Sequence, residues 1–181
     1  MPKHYTSTAK TLHWLISLLL LGLLGLGFYM QGLPLSPAKL KLYSWHKWFG
    51  VTVFLLVIVR LAWRITNPPP ALPEHMPKAQ QLMAYAGHLA LYGLMLAIPL
   101  SGWLMSSAKG FQTVWFGVLP LPDLLAADKE LGEQLLTLHL GLNLGLIAVL
   151  VGHVGAALKH HFIDKDDILV RMLPKLALNN R

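Results

Sequence analysis

The sequence predicts an all-α integral membrane protein: a bundle of four spanning helices in one domain over residues 1–181, with both termini in the cytoplasm. Of the 181 residues, 55% are hydrophobic and 13% are charged, a balance typical of membrane proteins. The apolar residues also form four runs, each long enough to cross the roughly 30 Å apolar core of a bilayer. The formal charge of +7 does not indicate a nucleic-acid partner, because lysines and arginines fall at the ends of those runs.

Proline-rich connections separate the predicted helices. These helices cover 12–31, 43–64, 83–106 and 135–159. Pro34 and Pro37 end the first and precede the second, since proline inside a helix removes a backbone hydrogen bond. The run Asn67-Pro68-Pro69-Pro70 imposes an extended connection before the third. Segment 107–134 contains two prolines and most of the central acidic residues, so we expect an exposed loop there with room for a short interfacial helix.

The distribution of lysine and arginine predicts the orientation. The N-terminal segment, the second loop and the C-terminal tail carry ten of these residues, whereas the first and third loops carry five. Cytoplasmic loops of membrane proteins are enriched in Lys and Arg. We therefore expect both termini in the cytoplasm and the first and third loops on the periplasmic side.

Two histidines of the fourth helix are the strongest indication of function. His139 and His153 lie 14 residues apart, almost four helical turns, so their rings share one face about 21 Å apart along the axis. Ionisable residues in membrane interiors are rare and usually functional. The spacing therefore predicts two metal centres, one in each leaflet. The chain has no cysteine, which excludes iron–sulfur clusters, covalently attached c-type haem and thiolate zinc sites.

Antiparallel topology sorts the other histidines by depth. The periplasmic leaflet receives one pair, His46 of the second helix with His139. The cytoplasmic leaflet receives three candidates, His13, His88 and His153, and spacing alone leaves the ligand pair open. A single intramembrane histidine can instead hydrogen-bond a neighbouring helix, but two pairs at matched depths favour metal binding.

Other residues repeat the 14-residue offset. Arg60 follows His46 by 14 residues, which places it at the depth of the cytoplasmic centre. Gly27 and Gly102 follow histidines of the cytoplasmic leaflet by the same number, so we expect them at the periplasmic depth, where a flat macrocycle between helices needs space. Each has an alternative explanation: glycine also serves helix packing in membranes, and an arginine commonly marks the cytoplasmic end of a helix.

Four longer motifs accompany this pattern. They are Leu12-His13-Trp14, Arg60-Leu61-Ala62-Trp63-Arg64, Gly87-His88-Leu89-Ala90-Leu91-Tyr92 and Ala157-Leu158-Lys159-His160-His161-Phe162-Ile163-Asp164-Lys165-Asp166. On these motifs the chain resembles the prokaryotic cytochrome b561 family, whose members are four-helix di-haem cytochromes of the bacterial inner membrane. The resemblance covers nearly the whole chain.

The resemblance implies two haem b groups, each with two histidine ligands. The implied pairs are His13 with His153, on the cytoplasmic side, and His46 with His139, on the periplasmic side. His88 then becomes a residue near the cytoplasmic haem that does not bind iron. Two histidine ligands leave no open position on the iron, so we expect electron transfer rather than oxygen binding.

The resemblance also implies a ubiquinone site at the cytoplasmic end. A quinone that accepts two electrons takes up two protons, and histidine titrates near neutral pH. We predict that His88 and His160 supply these protons, and that Arg60 either orients the quinone ring or pairs with a haem propionate. The alternative for His160, and more so for His161 and Lys159, is a solvated helix end that faces lipid headgroups.

The periplasmic end carries the lysines Lys39, Lys41, Lys47 and Lys109. They can attract a small anion, or they can snorkel and neutralise propionates. Some close relatives in the family oxidise superoxide. The leading hypothesis is an oxidoreductase that moves electrons from a periplasmic donor such as superoxide to ubiquinone. The alternatives are an electron-transfer subunit that serves a separate redox partner, and a non-haem metal transporter, which is disfavoured because the spans place no carboxylates beside their histidines.

Overall fold

The computed structural model describes residues 4–73 and 76–173 and contains four long helices. They are α1 (Ser7–Gln31), α2 (Pro37–Thr66), α3 (Lys78–Ala108) and α4 (Lys129–Lys159). All four are long and apolar enough to cross a membrane, which confirms the predicted four-helix bundle. Each begins five or six residues before its predicted start, because a turn with polar or charged residues precedes each apolar run.

Side-chain caps determine where three of these helices begin. The hydroxyls of Thr6 and Ser36 each accept a hydrogen bond from the backbone N–H three residues later, at 3.2 Å. The carboxylate of Asp128 does the same at 3.0 Å. Pro37 occupies the start of α2, where its missing N–H costs nothing. The helix ends before Asn67, since a residue that precedes proline avoids the helical conformation.

The bundle core consists of apolar side chains from all four helices. The most buried are Ile16 of α1, Val53 and Val57 of α2, and Leu146 of α4, each at most 1% exposed. Met95 of α3 belongs to the same cluster. The outward surface also carries many large apolar side chains. A helix that is apolar on all sides is typical of a membrane span.

The start of α1 and the end of α4 lie at one end of the bundle, here called the termini end. After α4 the chain continues as a π-helical turn, His160–Asp164, and a short helix α5, Ile168–Met172. The indole Nε1 of Trp14 in α1 donates to the carbonyl oxygen of Met172 at 3.0 Å. The C-terminal segment therefore folds back against the start of α1. The lysine and arginine counts predict that this end faces the cytoplasm.

The opposite end, here called the loop end, is closed by the connection between α3 and α4. A small hairpin of β1 (Val114–Trp115) and β2 (Leu119–Pro120) takes the place of an interfacial helix. Residues 116–118 connect the strands, and Phe116 and Gly117, with φ of 50° and 72°, form the centre of a β-turn in which Val118 N–H donates to Trp115 O at 3.1 Å. The indole of Trp48 in α2 donates to Val114 O at 2.6 Å and holds the hairpin over the bundle.

Candidate functional site

The predicted histidine pair of the loop end meets across the bundle. The rings of His46 in α2 and His139 in α4 have centroids 6.5 Å apart and an interplanar angle of 76°. Two imidazole rings that bind the same metal ion through nitrogens about 2 Å from it have their ring centres about 6 Å apart. The separation therefore fits two rings that share a metal ion between them.

Hydrogen bonds set the tautomer of His139. Its Nδ1 lies 3.1 Å from the carbonyl oxygen of Ile98 and 3.0 Å from Ser101 Oγ, both in α3. Ser101 Oγ itself donates to the Ile98 carbonyl at 2.8 Å. Because a carbonyl oxygen only accepts, Nδ1 carries the proton and Nε2 keeps its lone pair. Histidines that bind metals commonly donate their second ring nitrogen to a backbone carbonyl in this way.

The partner ring has an unsatisfied nitrogen. His46 Nδ1 is buried and has no hydrogen-bond partner among the described residues. A buried polar atom without a partner is costly. No protein group among the described residues holds this nitrogen, and two facing imidazoles are donors of the kind that metals bind, so the donor set of the loop end fits a metal cofactor.

Two glycines lie directly against these rings. A Cβ on Gly27 of α1 would come within 3.3 Å of His46 Cε1, and one on Gly102 of α3 within 3.1 Å of His139 Cε1. Both distances are shorter than ordinary van der Waals contact. The structure thus places both glycines at the depth and on the inward face that the 14-residue offset predicted. In the structure, each glycine leaves room for one of the two imidazole rings.

Three histidines meet at the termini end. The centroids of His13 and His153 are 6.3 Å apart, and those of His88 and His153 are 5.6 Å apart. His153 is therefore in ring contact with both of the other histidines predicted at this depth. The separation of His13 and His153 nearly equals that of the loop-end pair, whereas His88 lies closer to His153.

Arg60 contacts this group. Its Nη1 lies 2.9 Å from His13 Nδ1, and its Nε donates to the hydroxyl of Tyr92 at 3.1 Å. Since a guanidinium only donates, His13 Nδ1 acts as the acceptor. The guanidinium of Arg64 lies 5.9 Å from the centroid of the same tyrosine ring. Two fixed positive charges thus stand beside the histidines, at the depth predicted for Arg60.

His160 lies apart from the other histidines. Its Nδ1 is 2.6 Å from an oxygen of Asp166 and 3.1 Å from one of Asp164. Within the described part of the chain, His88 and His160 share no hydrogen bond or ring contact. The two predicted proton donors therefore occupy separate surroundings at the same end. The carboxylate partners of His160, like Ser101 and Tyr92, were not singled out from the sequence.

The lysines predicted to attract an anion stand at or near the loop end. Among the described residues, only Lys109 pairs with a carboxylate, that of Glu133 at 2.9 Å. Lys47 donates to three neutral oxygens at 3.1–3.2 Å. The ammonium of Lys41 lies 5.2 Å from the centroid of the Trp45 ring. Neutral partners do not cancel a charge, although the carboxylate of Asp123 offsets part of the Lys47 charge, so the positive field of this end comes mainly from the other lysines.

Comparison with known proteins points to one family. A family model described as prokaryotic cytochrome b561 matches residues 4–175. The chain is 38% identical over 176 residues to cytochrome b561 homolog 2 of Escherichia coli K12, covering 96% of this chain and 93% of that protein. It is 30% identical to cytochrome b561 homolog 1 of the same organism, over 94% and 97% of the two chains. It is 29% identical to the probable superoxide oxidase CybB of Yersinia pestis, over 97% and 98%.

Proposed function

We propose that this chain, which belongs to the prokaryotic cytochrome b561 family, binds two haem b groups and passes electrons from periplasmic superoxide to ubiquinone. Membership makes it a haem b-binding electron-transfer protein that spans the bacterial inner membrane. The observation that carries the finer proposal is the pair of histidine contacts across the bundle, with centroids 6.3 and 6.5 Å apart.

The proposed iron ligands come from three helices. They are His46 with His139 at the loop end, and His13 with His153 at the termini end. When bound, each haem supplies one-electron chemistry at an iron with no open position. The support is the matched separation of the two pairs, the lone pair on His139 Nε2, and the unpartnered Nδ1 of His46. Because α4 carries one ligand of each pair, it connects the two centres.

The choice of His13 over His88 rests on two arguments. Family resemblance assigns the ligand to His13, and the His13–His153 separation is the one that matches the loop-end pair. A neutral imidazole that binds iron through Nε2 carries its proton on Nδ1, where Arg60 now donates. Arg60 must then turn to another acceptor. A propionate carboxylate is such an acceptor, which favours propionate binding as the role of Arg60.

Quinone reduction requires protons as well as electrons. Two superoxide anions and one ubiquinone yield two molecules of dioxygen and one quinol, with the uptake of two protons. We assign these protons to His88 and His160 at the termini end. His88 contacts His153, and His160 lies seven residues beyond His153 on the same helix. Each would protonate the quinone from its own side, since the two side chains do not touch.

Two observations support superoxide as the electron donor: the name of a relative and the positive charge of the loop end. One relative carries the name probable superoxide oxidase. At the loop end of this chain, Lys41 makes no ion pair with a carboxylate among the described residues, and Lys47 donates its hydrogen bonds to neutral oxygens. A positive field raises the encounter rate of a small anion without a dedicated binding pocket.

Rapid mixing of the purified protein with superoxide tests the proposed function. We expect the absorbance of reduced haem b to rise within the lifetime of superoxide, and added ubiquinone to reoxidise it. If superoxide leaves both haems oxidised, the donor assignment is wrong, and the chain serves a separate redox partner that should co-purify with it. If reduced haem persists in excess ubiquinone, the quinone assignment is wrong.

Lys41→Gln tests the role of the loop-end field. Lys41 is suited to this test because it makes a ring contact but no side-chain hydrogen bond among the described residues, so its removal disturbs little structure. We expect the second-order rate of haem reduction by superoxide to fall about two- to fivefold and to depend less on ionic strength. Lys78→Gln, at the termini end, is the matched control. Equal rates for both variants would show that the lysine field does not steer the donor.

A further inference from the structure

His160, directly after the end of α4, makes two hydrogen bonds with Asp166. The carboxylate oxygen Oδ2 of Asp166 lies 2.6 Å from His160 Nδ1, and the backbone N–H of Asp166 donates to His160 O at 3.1 Å. The π-helical turn His160–Asp164 and the left-handed backbone of Lys165, with φ of 55°, bring the chain back to make both contacts. Irregular turns of this kind frequently occur at functional sites.

The carboxylate of Asp166 is itself held in place. Its second oxygen, Oδ1, accepts from the backbone N–H of Ile168 at 3.0 Å. The side chain of Asp166 is only 7% exposed, and that of His160 is 13% exposed. A carboxylate with both oxygens engaged and little solvent contact has one orientation. It therefore fixes the ring it contacts.

Other charged groups around His160 are balanced within pairs. Asp164 lies 3.1 Å from His160 Nδ1 but also pairs with Lys159 at 2.5 Å. Asp167 directly precedes α5, which packs against the π-helical turn, and it pairs with Arg171 of that helix at 2.7 Å. Asp166 is the nearest acceptor, at 2.6 Å, and its carboxylate bonds His160 and the backbone at the start of α5. These distances identify Asp166 as the group that sets the ring's protonation pattern.

We propose that Asp166 is a positioning residue that keeps the proton of His160 on Nδ1, so that Nε2 is the nitrogen that releases and regains a proton. An ionised carboxylate only accepts hydrogen bonds, so Nδ1 stays protonated in both charge states of the ring. Nε2 is then an N–H donor in the charged ring and a bare lone pair in the neutral ring. The same carboxylate stabilises the charged ring that forms when Nε2 takes up a proton.

The consequence for catalysis rests on the proposed function. If His160 protonates a quinone oxygen, its Nε2–H bond breaks, the proton moves to the oxygen, and the ring is left neutral. Water on the cytoplasmic side restores the proton at the same nitrogen. Without Asp166, either ring nitrogen can carry the single proton of the neutral ring. The tautomer with that proton on Nε2 has no lone pair there to take up the next proton.

The variant Asp166→Asn reverses the direction of the hydrogen bond with His160 Nδ1 and changes few atoms. The amide oxygen still accepts from Ile168 N–H, and its NH₂ group then faces His160 Nδ1 as a donor. We expect the neutral ring to carry its proton on Nε2 in this variant. Asp166→Glu keeps the charge and is expected to keep the wild-type tautomer. Asp167→Asn is the matched control, since Asp167 bonds Arg171 instead.

Nitrogen-15 NMR of histidine-labelled protein tests the positioning without any quinone. The signals of His160 are identified by their loss in His160→Gln. We expect wild-type protein and Asp167→Asn to show the Nδ1–H tautomer and Asp166→Asn to show the Nε2–H tautomer. An Nε2–H tautomer in the wild type, or no change in Asp166→Asn, would overturn the proposal.

Kinetics test whether the positioning matters for quinone reduction. We expect Asp166→Asn and His160→Gln each to slow reoxidation of haem by ubiquinone about tenfold or more, with haem content and reduction by the donor unchanged. The double variant should be no slower than His160→Gln, because Asp166 acts through the ring. Additive losses would overturn this role. If wild-type haem is not reoxidised by ubiquinone, the proposed function fails, and the NMR result still decides the positioning.

Discussion

Replacing His139 with alanine is expected to reduce the haem content from two groups per chain to one. The reason is that His139 supplies one of the two nitrogens of the loop-end pair, and the remaining ring, His46, has no other imidazole within ring-contact distance among the described residues. His153 lies almost four helical turns away on α4, so the termini-end pair is not disturbed. The pyridine haemochrome absorbance per mole of protein measures the loss directly.

Two companion variants separate ligand loss from general damage. His153→Ala should also leave one haem, and the two single variants should differ in midpoint potential because each retains a different centre. His88→Ala should keep both haems, although His88 lies 5.6 Å from His153. Two haems in His139→Ala would contradict the loop-end pairing. One haem in His88→Ala together with two in His13→Ala would assign the ligand to His88.

The loop-end site was predictable from the sequence because helix geometry converts spacing into depth. Once the four spans and their alternation are known, residues 14 apart lie on one face at two known levels. His46, His139, Gly27 and Gly102 all fall at the loop end by this rule, and the structure brings each glycine against one of the two rings. The fold followed in the same way from composition and the four apolar runs, with helix starts displaced by about one and a half turns.

Lateral position around the bundle is not encoded in spacing. His13 and His88 come from α1 and α3, and both reach His153, at 6.3 and 5.6 Å. Depth alone therefore could not choose between them, and ring contact alone does not either. The assignment of His13 depends on family resemblance and on the match to the loop-end separation. The haem content of the His13→Ala and His88→Ala variants therefore decides which of the two histidines binds iron.

The surroundings of His160 were beyond sequence reasoning for a different reason. Asp166 lies six residues after His160, which in a regular α-helix is not one of the neighbouring positions on the same face. The contact exists because a π-helical turn and one left-handed residue, Lys165, return the chain to the histidine. The hairpin at the loop end is similar: Phe116 adopts positive φ, for which its side chain gives no signal.

Replacing Gly102 with leucine is expected to displace the ring of His139 and to lower occupancy of the loop-end haem. A Cβ alone would lie 3.1 Å from His139 Cε1 and 3.4 Å from Nδ1, and the ring has little freedom to yield because Nδ1 is bonded to the Ile98 carbonyl. Overpacking of this kind costs about 1–3 kcal/mol in well-packed cores. We expect haem content to fall from two groups towards one, with a parallel loss of thermal stability.

A second glycine of the same helix provides the control. Gly93 is exposed and has no heavy atom within 4 Å of an added Cβ, so Gly93→Leu adds the same side chain away from the histidines and should retain both haems. Gly102→Ala should fall between Gly102→Leu and the wild type, since a methyl group requires the ring to shift by only a few tenths of an ångström. Equal haem content in Gly102→Leu and Gly93→Leu would mean that the space beside His139 is not required. The glycine would then serve helix packing, as membrane glycines commonly do. A loss confined to Gly102→Leu, restored in part by alanine, assigns the glycine to the haem site, because a packing role gives no reason for the loop-end centre alone to suffer.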